Sequence, residues 1–77
     1  MNRKEAHEKI KSIQNPIWKA YTKLVNSNDI EQFESDINEL SNQFDKEDDE
    51  EIRLFLNHMI LAWWGLARAF KDGHFDN

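Results

Sequence analysis

The sequence predicts an all-α fold, a small three-helix bundle with a long, largely buried C-terminal helix. Three apolar runs repeat at intervals of three and four residues, the spacing that places side chains on one face of an α-helix. No run alternates apolar and polar residues with the β-branched side chains typical of a strand. With 77 residues, the chain is sufficient for one helical domain, 1–77, built around one core.

The first apolar run predicts a helix over about residues 4–26. Its apolar side chains recur from Ala6 to Leu24 at intervals of three or four. Pro16 interrupts the run, and proline lacks the N–H group that a helix interior uses. Either the helix kinks at Pro16, or Asn15 caps a new helix with proline at its first position, and we favour the new helix. The polar residues 1–12 are expected to fray.

The second run predicts a surface helix over about residues 29–44. It follows a polar stretch in which Asn28 and Glu31 have the spacing of a capping box. Its apolar residues form a narrow stripe with polar side chains at most other positions. They are Ile30, Phe33, Ile37, Leu40 and Phe44.

The third run predicts the longest helix, over about residues 49–72. The preceding segment, 45–51, carries six carboxylates, and Asp48 with Glu51 offers a second capping box. Gly73 is expected to end the helix and to begin a tail over 73–77. One broad face is predicted to organise the core, formed by Ile52, Phe55, Leu56, Met59, Ala62, Trp63, Leu66 and Phe70.

The opposite side of the third helix is more apolar than a solvated face normally is. Leu54 and Leu61 are seven residues apart, Trp64 follows three residues later, and Gly65 leaves room for another backbone to approach. Arg68 lies one turn beyond Trp64, and Trp and Arg are common interface anchors. We therefore predict a partner-binding stripe of Leu54, Leu61, Trp64 and Arg68.

This stripe depends on how two adjacent tryptophans are assigned. Trp63 and Trp64 point about 100° apart on a helix, so only Trp63 is assigned to the core. In the alternative interpretation, residues 3–13 fold over the stripe, or Trp64 lies against Arg68 as a cation–π pair.

Charge is distributed unevenly along the chain, whose net charge is −5. Residues 1–23 are basic, whereas residues 24–51 hold eleven carboxylates and one lysine. Pairing between the first helix and the acidic block explains this separation, and we prefer that explanation narrowly. In the alternative, the block steers a basic partner, such as the nucleic-acid-binding surface of another protein. The steering residues would be Glu31, Glu34, Asp36, Glu39, Asp45, Glu47, Asp48 and Asp49.

Several classes of protein are disfavoured by composition. The apolar run over residues 54–70 contains Asn57, His58 and Arg68, and a membrane span needs roughly 20 apolar residues. No cysteine or signal peptide is present, which predicts a cytoplasmic protein.

Catalysis and metal binding are also disfavoured. None of His7, His58 and His74 has a second ligand at the spacing of a helical metal pair. The acidic segment lacks the glycine and ligand spacing of a calcium loop, and no nucleophile motif is present. We expect no enzyme, cofactor or metal.

These patterns predict a small protein-binding regulator or inhibitor that docks through the outer face of the third helix. The first alternative is a homodimerising structural or adaptor protein, with Gly65 at the crossing of two helices. The second is a nucleic-acid-binding module that uses the basic residues 3–23, although the net negative charge opposes direct binding. Eight Asn, seven Lys and seven Ile indicate an AT-rich coding sequence and suggest a phage or bacterial origin.

Overall fold

The protein is a bundle of three helices, as the sequence predicted. The computed structural model describes residues 1–76, so the last residue of the predicted tail lies outside the described residues. The helices are α1 (Arg3–Ser27), α2 (Ile30–Gln43) and α3 (Glu50–Lys71). Each packs against the other two, and all regular structure in the described residues is helical. The bundle is elongated, with extents of 46 × 20 × 17 Å.

Helix α1 continues through Pro16 as a single element. The favoured prediction of a new helix capped by Asn15 is therefore wrong. Ile13 and Ile17 flank the proline, and both are fully buried in the core. Burying each side chain stabilises the fold by about 1.5–3 kcal/mol, which together offsets the roughly 3 kcal/mol cost of an interior proline. Residues 3–12 are also helical, with Asn2 accepting a hydrogen bond from the backbone N–H of Glu5.

The α1–α2 connection uses a different cap from the one predicted. Asn28 ends α1 in the left-handed region, with φ of 57°, a conformation that asparagine tolerates better than most residues. Asp29 then caps α2 by accepting a hydrogen bond from the backbone N–H of Gln32. Asn28 is thus a helix C-cap rather than the predicted N-cap.

The N-cap of α3 also lies one residue later than predicted. Asp49, not Asp48, accepts a hydrogen bond from the backbone N–H of Ile52 at 3.0 Å. In a run of carboxylates, several side chains have the chemistry of an N-cap, and the backbone conformation decides which of them is used.

The core draws on all three helices. Its buried residues are Ile13, Ile17, Ala20, Leu24, Phe33, Ile37, Leu40, Ile52, Leu56 and Ala67. Two residues predicted to face the core from α3, Ala62 and Leu66, are exposed instead. Ala67 is buried in their place, and Ile60 packs against the core.

The buried stripe of α3 is therefore rotated about the helix axis relative to the face that the sequence predicted. Only Ile52, Leu56 and Ala67 of α3 are fully buried, although the helix was expected to be largely buried. Its other large apolar side chains are half-buried or exposed. Within residues 1–76, no helix combines the length and apolar character needed to cross a membrane.

Candidate interaction surfaces

The outer face of α3 is open to solvent. Leu61 is 69% exposed and Leu54 is also exposed. A side chain at Gly65 would meet no neighbouring atom within 4 Å. Residues 3–13 do not cover this face, since they form the first part of α1 and leave Leu61 exposed.

Trp64 occupies a different surface from these two leucines. It is half-buried, and its ring packs edge-on against Phe33 of α2, with centroids 5.8 Å apart and an interplanar angle of 83°. Arg68 is exposed and borders a groove of about 430 Å³ with Trp64, Gly65 and Glu34. The structure thus divides the predicted stripe, with Leu54 and Leu61 on the outer face and Trp64 and Arg68 beside α2.

Three of the eight predicted steering carboxylates are engaged within the fold. Asp36 lies 3.9 Å from the Lys23 ammonium and accepts a hydrogen bond from the side chain of Gln32. Glu47 lies 2.6 Å from Lys9, and Asp49 caps α3. The other five are exposed, namely Glu31, Glu34, Glu39, Asp45 and Asp48.

The Lys9–Glu47 pair changes the acidity of both groups. Its hydrogen bond lowers the pKa of Glu47 below the ordinary 4.5, helped by the backbone N–H of Asp49. The same bond raises the pKa of Lys9 above 10.5. Both ion pairs join α1 to the acidic block, which is the intramolecular arrangement that we preferred from the sequence.

A second apolar surface, absent from the sequence prediction, lies where α1 runs beside α3. Five aromatic contacts connect its side chains, beginning with Trp18 on Tyr21 at 5.2 Å and on Trp63 at 6.3 Å. Tyr21 also lies 4.9 Å from Trp63 and 5.8 Å from Phe70, and Phe70 lies 4.7 Å from Phe75. His74 follows at 4.9 Å from Phe75. We call this surface the α1–α3 seam and define it as Trp18, Tyr21, Val25, Trp63, Leu66, Phe70 and Phe75.

The seam leaves large apolar side chains in solvent. Trp18 is 58% exposed, Phe75 is 50% exposed and Leu66 is 38% exposed, and Val25 is exposed as well. Tyr21, Trp63 and Phe70 are half-buried beneath them. The seam therefore combines a packed aromatic base with an exposed apolar edge.

A sequence signal for the seam existed in α1. Trp18, Tyr21 and Val25 are spaced by three and four residues, so they share one side of the helix. This side neighbours, but does not coincide with, the stripe of Ile17, Ala20 and Leu24 that fills the core. The signal was missed because Leu66 and Phe70 were both assigned to the core face of the third helix.

The two helices that form the seam carry no carboxylate over most of their length. Residues 9–28 and 52–71 contain no Asp or Glu, but they include seven Lys and Arg residues. Lys4, Lys11, Trp18 and Val25 follow one another at intervals of seven, so two lysines extend the exposed side of the seam toward the start of α1.

In the part of the chain that the structure describes, no three His, Asp or Glu side chains come together as potential metal ligands. His7 and His58 are exposed on their helices. In comparisons with known proteins, no family model, no curated protein and no solved structure matches this chain.

Proposed function

We propose that the protein acts by binding another protein, as a small non-enzymatic regulator or inhibitor, and that the α1–α3 seam is its main docking surface. The observation that carries this proposal is the exposed edge of the seam, where Trp18 is 58% exposed while packing on the half-buried Tyr21 and Trp63. Scattered apolar residues are normal on a surface, whereas contiguous apolar patches mark interaction sites.

The aromatic base of the seam favours binding because it fixes the exposed rings in place. Trp18 packs on both Tyr21 and Trp63, and Phe75 packs on Phe70. Side chains that are already ordered lose less conformational entropy when a partner covers them. Aromatic side chains also bury large areas, and tryptophan and tyrosine are the residues most often found as binding hot spots.

The acidic residues of α2 and the following segment give the proposal a second, weaker element. Five exposed carboxylates, Glu31, Glu34, Glu39, Asp45 and Asp48, would attract a basic region of a partner at long range. We expect the association rate to fall as salt rises from low to physiological concentration, because the Debye length shortens to about 8 Å. An association rate independent of salt would remove the acidic residues from the mechanism.

Site-specific photo-crosslinking tests the proposal in cells that naturally make the protein. A benzophenone amino acid replaces Trp18 in one variant and the exposed Gln43 of α2 in a matched control. We expect Trp18 to give a discrete crosslinked product that excess wild-type protein competes away, and Gln43 to give none. Equal products at both positions would contradict the proposal.

Self-association through the outer face of α3 is a second candidate function, for which Leu54, Leu61 and Gly65 are the supporting residues. Two leucines are exposed there, and the open position at Gly65 would let a second copy of α3 approach closely. Light scattering over a wide concentration range distinguishes the candidates. A dimer that Leu61→Glu dissociates would favour self-association, whereas a monomer at all concentrations favours the seam.

A cytoplasmic location and a phage or bacterial origin remain proposals that rest on composition. The absence of cysteine and the abundance of Asn, Lys and Ile are the observations behind them.

A further inference from the structure

We propose that the segment recognised by the α1–α3 seam is an acidic amphipathic helix of the partner protein. This inference rests on the proposed function and adds the chemistry of the ligand. The seam places exposed aromatic and aliphatic side chains between two parallel helices whose residues 9–28 and 52–71 contain seven Lys and Arg residues and no Asp or Glu. An amphipathic helix with Asp and Glu beside its apolar face fits both properties.

The shape of the surface favours a helix as the ligand. Lys9 beside Glu47 marks one end of the bundle and Tyr21 beside Phe70 marks the other, so α1 and α3 run in the same direction. Trp18 and Val25 stand on one helix, while Leu66 stands on the other. Two neighbouring helices with exposed apolar edges form a long groove, and such grooves accept helices whose apolar residues recur every three or four positions.

The charges favour an acidic ligand over a basic one. Lys4 and Lys11 lie on the same side of α1 as Trp18 and are exposed. Neither of them belongs to the two ion pairs found among residues 1–76, which use Lys9 and Lys23. A ligand carboxylate placed near Lys11 would therefore meet a cation, whereas a ligand lysine there would be repelled.

A second copy of the chain fits the seam poorly. In a symmetric dimer each copy presents the same patch to the other. The seam helices of the second copy would bring no carboxylate from residues 9–28 or 52–71 to pair with Lys11. The acidic residues of the second copy are concentrated in residues 29–51, outside the patch.

A nucleic acid fits less well than a protein helix. Val25 and Leu66 form part of the exposed edge, and aliphatic side chains provide no ring on which a base can stack.

Selection from a display library of random 16-residue peptides tests this inference on the full-length protein. Peptides are selected on wild type and depleted on a Trp18→Gln/Leu66→Gln variant, which removes two apolar side chains of the edge without adding charge, so the survivors depend on the seam. Circular dichroism and thermal unfolding establish that this variant is folded; if it is not, Val25→Gln, which changes one exposed side chain, replaces it.

The selected sequences separate the inference from the proposed function. We expect them to be rich in Asp and Glu, with apolar residues three or four positions apart. Survivors rich in Lys and Arg would overturn the acidic ligand while leaving protein binding in place. An absence of seam-dependent peptides would overturn both. Trp18-dependent binding of a fluorescent oligo-dT strand, or Trp18-dependent dimerisation in light scattering, would also overturn the acidic helix as the ligand.

A charge reversal gives the quantitative test on the selected peptides. Lys11→Glu should weaken binding roughly fivefold or more, because an exposed ion pair contributes up to about 1 kcal/mol and its reversal adds repulsion. The matched control is Lys46→Glu, which makes the same charge change in the acidic segment. Equal weakening by both variants, or none by Lys11→Glu, would overturn the electrostatic part of the inference.

Discussion

The two sides of α3 differ in how completely the bundle covers their tryptophan contacts. On the side facing α2, Trp64 packs edge-on against Phe33, which is fully buried. On the side facing α1, Trp63 packs against Trp18, which stays 58% exposed. Of the two adjacent tryptophans, Trp64 thus contributes to a covered contact and Trp63 to an open one. The open contact is the one with capacity left for another molecule.

The largest expected difference between the two sides is in stability. Phe33→Ala removes a buried ring from the core and the partner of Trp64, so it should lower the free energy of unfolding by about 3–5 kcal/mol. Urea denaturation measures this loss. Phe75→Ala is the matched control, since it removes an exposed ring from the seam. A smaller loss for Phe33→Ala than for Phe75→Ala would contradict the distinction between covered and open sides.

The tryptophans themselves provide a direct comparison. Trp64→Ala should cost about 1–3 kcal/mol because a half-buried ring loses apolar contacts with α2. Trp18→Ala should cost less than about 1 kcal/mol, yet it should abolish binding of peptides selected on the seam. Urea denaturation and a binding titration of each variant test the pair. Greater destabilisation by Trp18→Ala would identify Trp18 as a structural residue rather than a docking residue.

The bundle could be predicted from the sequence because apolar spacing determines which residues share a helix face. The pattern that runs from Ile13 through Ile17 to Leu24 held even across Pro16, where backbone preference favoured a break. Spacing within one helix does not determine how far that helix rotates against its neighbours. That rotation exposed Leu66 and buried Ala67, and it turned Trp64 toward α2.

The seam was difficult to predict for the same physical reason. It is formed by residues of α1, α3 and the segment after α3, and its exposed edge exists only because two helices pack side by side. Each helix alone shows a broad apolar face, which is equally consistent with complete burial. By contrast, the Lys9–Glu47 and Lys23–Asp36 pairs follow the expected attraction between α1 and the acidic block.

The start of α3 allows a test on two adjacent aspartates. Asp49→Ala removes the side chain that caps the helix and should cost about 1 kcal/mol. Asp48→Ala changes an exposed carboxylate and should alter stability by no more than about 0.5 kcal/mol. Thermal unfolding compares the two variants. Equal losses would mean that both aspartates share the cap in solution.

The smallest expected effect concerns the ion pair that joins α1 to the acidic segment. Glu47 has a lowered pKa in the folded state, so its pairing with Lys9 stabilises the fold above pH 4.5 and is lost as pH falls through the folded-state pKa. The raised pKa of Lys9 sets the upper pH limit of this stabilisation. The ion pair is fully formed below pH 10.5, and its stabilising effect is lost as the pH rises through the folded-state pKa of Lys9. Between these limits, Glu47→Gln should be modestly less stable than wild type.

Urea denaturation of both proteins from pH 7 to pH 3 tests this dependence. The stability difference between wild type and Glu47→Gln should shrink as the pH falls below 4.5, because wild-type Glu47 then also becomes neutral. Glu39→Gln removes an exposed carboxylate that has no ion-pair partner among residues 1–76, and it controls for the general loss of negative charge. A difference that stays constant to pH 3 would show that Glu47 acts through packing rather than charge.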